Sequence, residues 1–228
     1  MRTKKICLLL TFLMLFSGGT LAQSQEQKSG GDDLAAKTQN PVGAMYSLPF
    51  KFRFDYGAEN GEASFLNIQP VLPQTIGEWN LIHRIILPLI DTPGGVTGLP
   101  AIPTPVQGDG ATGLGDINYS IYLSPADPQK VIWGIGPSLM MDTSSDDQLG
   151  SGKWSTGPTA VILVQPKPWT LGLLGRQLWS FAGDDDRREV SQLLLEPFIN
   201  YNLKNGWFLI TDMIITTNWE APSGNEWT

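Results

Sequence analysis

From Tyr46 to Tyr56 every second residue is apolar: Tyr46, Leu48, Phe50, Phe52, Phe54 and Tyr56. Between them stand Ser47, Pro49, Lys51, Arg53 and Asp55. A period of two is the side-chain period of a strand, so one face is greasy and the other polar. A turn over Gly57–Glu62, with Asn60-Gly61 inside it, leads to a second alternating run from Phe65 to Leu72. The result is a hairpin with rings along one face and full charges along the other. A β-sandwich or a propeller also supplies many short strands. A membrane barrel specifically requires this division, because one face meets lipid and the other meets water.

The amino terminus is compatible with that destination. Arg2, Lys4 and Lys5 precede an apolar stretch from Ile6 to Phe16. Small residues follow, ending in Thr20-Leu21-Ala22 before Gln23. This three-part layout predicts a cleaved secretory signal peptide over 1–22. The only cysteine, Cys7, falls within it, so the mature chain has neither a disulfide nor a thiolate metal site. No other apolar run approaches the ~20 residues of a membrane helix. A membrane-embedded form must therefore be a closed barrel, in which every backbone group finds a partner. Losing Arg2, Lys4 and Lys5 takes the formal charge from −7 to −10. So acidic a chain is a poor nucleic-acid binder.

Residues 23–45 read as a periplasmic lead, flexible at first, with one or two helical turns over Asp33–Gln39 that Asn40-Pro41 stops. Nine strands are expected after it, in the segment 46–228. They are Tyr46–Tyr56, Phe65–Leu72, Trp79–Ile90, Asp116–Ser124, Val131–Met141, Trp154–Val164, Trp169–Phe181, Ser191–Asn202 and Trp207–Trp219, with Trp227-Thr228 opening a tenth. Connections after the even strands are tight, as at Lys204-Asn205-Gly206. Those after strands three, five and seven are longer and polar: Asp91–Gly113, Asp142–Lys153 and Ala182–Val190. Short turns on one side and long loops on the other are the habit of outer-membrane barrels. Trp79, Trp133, Trp154, Trp169, Trp179, Trp207 and Trp219 stand near strand ends, as interfacial girdles require. The expected fold class is all-β: an antiparallel up-and-down transmembrane β-barrel.

Several blocks carry a resemblance. They are AAKTQNPVGAMYSLPF (35–50), LNIQPVLP (66–73), GLGDINYSIYLSP (113–125), LGSGKWSTGP (149–158), LWSFAGDDDR (178–187) and QLLLEPFINYNL (192–203). Together they resemble bacterial outer-membrane proteins grouped with the meta-pathway of phenol degradation. The resemblance covers nearly all of the mature chain. It implies a barrel in the outer membrane of a Gram-negative-type bacterium, passing small, often hydrophobic or aromatic, compounds. It carries no catalytic residue over. The family continues through about three further strands, giving about twelve in all, an even number. The expectation is that the coding region extends past Thr228, which reading the downstream DNA checks.

With rings facing lipid, Lys51, Arg53, Asp55, Arg84, Asp116, Arg176, Glu196 and Asp212 face the lumen, four charges of each sign. They suit either a polar path for a small-molecule solute or a network of ion pairs that fills a closed structural or adhesive barrel. A third reading is a lipid-modifying enzyme using His83, the only histidine, which shares its face with Leu81 and Ile85. No G-x-S-x-G accompanies it. One histidine and no mature cysteine argue against a transition-metal site, and no cofactor is expected. Asp142, Asp146, Asp147 and Asp184–Asp186 are loop acids. They are either solvated or able to bridge lipopolysaccharide through divalent ions, without the spacing of an EF-hand. The expected partners are outer-membrane lipid and lipopolysaccharide, the solute and the outer-membrane assembly machinery.

Overall fold

The structure, a computed structural model, describes residues 31–58, 61–94, 108–127 and 130–220. The signal peptide, the start of the lead, the middle of the Asp91–Gly113 connection, the segment from Ala221 to Glu226 and the Trp227-Thr228 stub lie outside those residues. The chain is all-β. It is one antiparallel, up-and-down sheet curled as a half-barrel. No helix among the described residues is long and apolar enough to cross a membrane.

Helix α1 (Gly31–Thr38) comes first. The strands follow as β1 (Phe50–Ala58), β2 (Gly61–Ile68), β3 (Val71–Ile76), β4 (Trp79–Thr92), β5 (Ala111–Leu114) and β6 (Ile117–Pro125). Then come β7 (Val131–Met141), β8 (Lys153–Val164), β9 (Trp169–Gly183), β10 (Ser191–Asn202), β11 (Phe208–Asp212) and β12 (Ile215–Asn218). The hydrogen-bonded path runs β1-β2-β4-β6-β7-β8-β9-β10-β11. Segments β3 and β5 also pair with β4, and β12 pairs with β10. Each of these three continues a neighbour in sequence, so the segments form nine staves, matching the nine expected strands.

Three expected strands are broken, each for a local reason. The second breaks at Gln69-Pro70. Pro70 has no N–H for the ladder, and Gln69 turns inward to be buried. The ninth breaks between Asp212 and Ile215, opposite Pro197 of β10. Pro197 accepts from the Met213 N–H at 3.0 Å but has none to return. The fourth gains β5 and breaks at Gly115-Asp116, where the aspartate is drawn toward a loop. The first strand starts late, at Phe50, because Pro49 interrupts it; Ser47 makes only an isolated bridge to Val71.

Pleating sorts the side chains as the alternation demands. On β1 the rings of Phe50, Phe52, Phe54 and Tyr56 are exposed on the convex face, while Lys51, Arg53 and Asp55 turn to the concave one. The concave face is not uniformly polar. Val71, Ile82, Tyr122, Ile132, Val161, Leu163, Leu174 and Leu194 form an apolar wall there, and Val42 completes it. Val42 comes from the segment after α1, which crosses the short-turn end of the sheet. Asn40 ends the helix by accepting from the Val42 N–H at 3.0 Å. Gln39 donates to Asn202 at 2.6 Å, and Gln165 donates to the Ala36 carbonyl at 2.7 Å.

Val42 needs Gly134 opposite it, since a Cβ on Gly134 would stand 2.8 Å from a Val42 methyl. Gly134→Val is therefore expected to overpack this layer and cost about 1–3 kcal/mol. A lowered denaturant midpoint of the detergent-folded protein, with an unchanged slope, checks it; an unchanged midpoint means that Val42 does not pack there.

Candidate functional site: a charged cleft on the concave face

The concave charges come from strands distant in sequence. Lys51 of β1 reaches Asp212 of β11 at 3.1 Å and Glu196 of β10 at 3.7 Å. Arg53 pairs along its own strand with Asp55 at 3.1 Å, and its guanidinium lies 4.2 Å from the centroid of the Phe65 ring. Arg84 of β4 is buried and donates to Gln69 at 3.1 Å. Arg176 of β9 is also buried, and its Nε and Nη2 have no hydrogen-bond partner.

These groups border two spaces. One, of about 130 Å³, is lined by Arg84, Arg176, Asn118 and Tyr122 and by apolar side chains including Phe65 and Met140. The other, of about 450 Å³, lies toward α1 and is bordered by Leu34, Asn40, Phe198, Asn200 and Phe208. Lys51, Arg84, Glu196 and Asp212 border both, so the ion-pair cluster stands where the two spaces meet. Asp55 alone of the eight charged residues borders neither.

A polar ladder on the next staves was not singled out by sequence. Asn118 and Ser120 each donate to the Ser138 hydroxyl at 2.9 Å, and Tyr122 shares a 3.1 Å hydrogen bond with Thr159. Their strand parity placed them inward, but small uncharged groups carry little signal without their cross-strand partners. Gln69, the partner of Arg84, was equally silent.

Asp116 has a second role beside the expected one. It borders the smaller space, yet its oxygens accept from the N–H groups of Thr143 (3.2 Å), Ser144 (3.3 Å) and Ser151 (2.7 Å) and from the Ser151 hydroxyl (2.8 Å). It anchors the connection between β7 and β8. The loop acids also have local work. Asp146 caps the short 3-10 turn Asp147–Leu149, Asp184 accepts from the Asp186 N–H, and Arg187 reaches the Gly150 carbonyl at 2.6 Å. Lys153, expected in the loop, is instead the first residue of β8; its buried ammonium pairs with Glu189 at 2.9 Å. The Ser180 hydroxyl also donates to Glu189. These two contacts, Ser180 first, hold the exposed Glu189 carboxyl below the usual glutamate range.

His83 lies on the convex face. Its ring stacks on Tyr119, and Nδ1 is 2.6 Å from the Tyr119 hydroxyl.

Two outcomes test the loop anchors. Asp116→Asn removes a charged acceptor from four donors and is expected to destabilise by about 2–4 kcal/mol. It also opens the 142–152 connection to protease; an unchanged cleavage pattern tells against the anchor. Glu189 binds its proton less readily when clasped, so the clasp adds stability above the ordinary glutamate range and loses it as pH falls through the lowered value. Protease nicking at 184–190 is expected to rise on acidification. In Glu189→Gln the nicking should lose most of that pH dependence.

No family model, curated protein or solved structure matches this chain.

Proposed function

We propose that the protein is an outer-membrane β-barrel that passes small molecules through the cleft on its concave face. The observation that carries this reading is the joined interior space, narrowed by the Lys51–Asp212–Glu196 cluster. A wide, apolar-walled space meeting a charged constriction suits the selective passage of small solutes.

The convex face supports the membrane setting. Trp79 packs edge-on against Trp133 (centroids 6.1 Å apart) and Trp169 against Tyr201 (4.8 Å), all at the short-turn end. Trp179, Phe181 and Trp219 are exposed toward the long-loop end. Trp169 and Trp179 lie ten positions apart on β9. At about 3.3 Å per residue and a tilt of about 40°, that spans about 25 Å of height. This is the height of the apolar band of an outer-membrane barrel. The signal-like amino terminus and the family resemblance of the sequence blocks point the same way.

The second reading is a closed barrel without transport. It is favoured by Val42 and the apolar wall, which pack part of the concave face. The enzyme reading has less support, because His83 is engaged by Tyr119 on the convex face.

Planar-bilayer recording and solute uptake into proteoliposomes, with the full-length protein, separate these readings. In a channel, Lys51→Met leaves Glu196 and Asp212 uncompensated and shifts ion selectivity toward cations. His83→Ala leaves conductance unchanged. If neither current nor solute-dependent uptake appears, the closed barrel replaces the channel.

A further inference from the structure

The concave charges balance in number but not in space. Two of the four carboxylates, Glu196 and Asp212, are taken by Lys51; Asp55 is taken by Arg53; Asp116 is taken by the Thr143–Ser151 loop. Arg84 has only the neutral Gln69. Arg176 is 6% exposed and leaves Nε and Nη2 without a partner. Among the described residues neither arginine has an ion-pair partner, and both border the space of about 130 Å³. A buried guanidinium without a counter-charge is costly. A sheet that places two of them at one cavity is suited to receive a counter-charge from outside.

We infer that Arg84 and Arg176 form a binding site for the carboxylate of a small carboxylic acid with an apolar body. The carboxylate pairs with the guanidinium of Arg176, a planar fork matched to two oxygens, where that residue borders the space. Arg84 adds the second positive charge. Lys51, Glu196 and Asp212, which also border the space, are paired with one another, so the uncharged lining sets the rest of the ligand. Ile86, Ile90, Met140 and Leu174 offer apolar contact. The volume is close to the about 150 Å³ that holds a benzene ring in an apolar cavity, so the body is a single ring or a short chain. Phosphate has the charge but leaves the apolar lining unfilled. The alcohol of the same body fills the lining but leaves the guanidinium unpaired.

The inference rests on the transport reading for the ligand's route, but binding is measured without flux. Isothermal titration of the full-length, detergent-folded protein at low salt compares benzoate and hexanoate with benzyl alcohol, hexanol and inorganic phosphate. Both acids are expected to bind saturably, at least tenfold more tightly than either alcohol or phosphate. Arg176→Met and Arg84→Met are each expected to weaken the acids at least tenfold and to leave the alcohols unchanged. Because Arg176→Met removes an unpaired buried charge, its unfolding midpoint should equal or exceed that of the parent, so the loss of binding is not a loss of fold. Alcohols or phosphate binding as tightly as the acids would overturn the inference, as would an unaffected Arg176→Met. Acid binding without uptake sinks the channel and leaves the site standing. Uptake without acid preference does the reverse.

Discussion

The contact between Lys51 and Asp212 joins strands 161 positions apart in sequence. These strands, β1 and β11, are the two ends of the hydrogen-bonded path. No backbone ladder holds those ends to one another among the described residues. Side-chain charge across the concave face does so, with Glu196 as the second acceptor. A charge pair that is only partly exposed is screened less than one on an open surface. The curl of the sheet and the placement of the cleft therefore depend on charges that the alternation of β1 obliges to face inward.

Proline shapes the staves at a finer scale. Pro70 and Pro197 withhold donors from the ladder, and the strand at each position, or opposite it, breaks. Both breaks border the cleft. The first turns Gln69 toward Arg84, and the second lies between Asp212, which holds Lys51, and Ile214, which packs on the apolar wall. Neither interruption changes the facing: Gln69 keeps the inward parity of Phe65 and Val71, and Asp212 that of Ile210 and Ile214. At the long-loop end, Asp116 and Arg187 tie the connections to the sheet rim, which leaves the loop acids largely occupied with their own backbone.

The interior consequently has two kinds of wall. An apolar cluster packed by Val42 runs along the concave face, and its Val71, Tyr122, Leu174 and Leu194 also border the charged, partly open cleft. The space between them therefore has chemically distinct walls. On the transport reading, such walls are a better basis for discrimination between solutes than a uniformly wet lumen.

Much of this architecture was legible in the residues alone. Nine staves, their order, and the facing of Lys51, Arg53, Arg84, Arg176, Glu196 and Asp212 follow from period two, because the pleat leaves no alternative once the convex face is aromatic. Tight turns such as Lys204-Asn205-Gly206 were also explicit, with Asn205 and Gly206 both at positive φ. What periodicity could not supply is which inward charge meets which. That depends on register and curl, which bring β1 to β11 and leave Arg176 without a carboxylate. Nor could it show that Asp116 serves a loop or that Val42 enters the sheet, since both depend on segments with no period. Local sequence determined the two faces; only the tertiary fold decided how the concave face spends its charges, because pairing is a property of distances across the sheet.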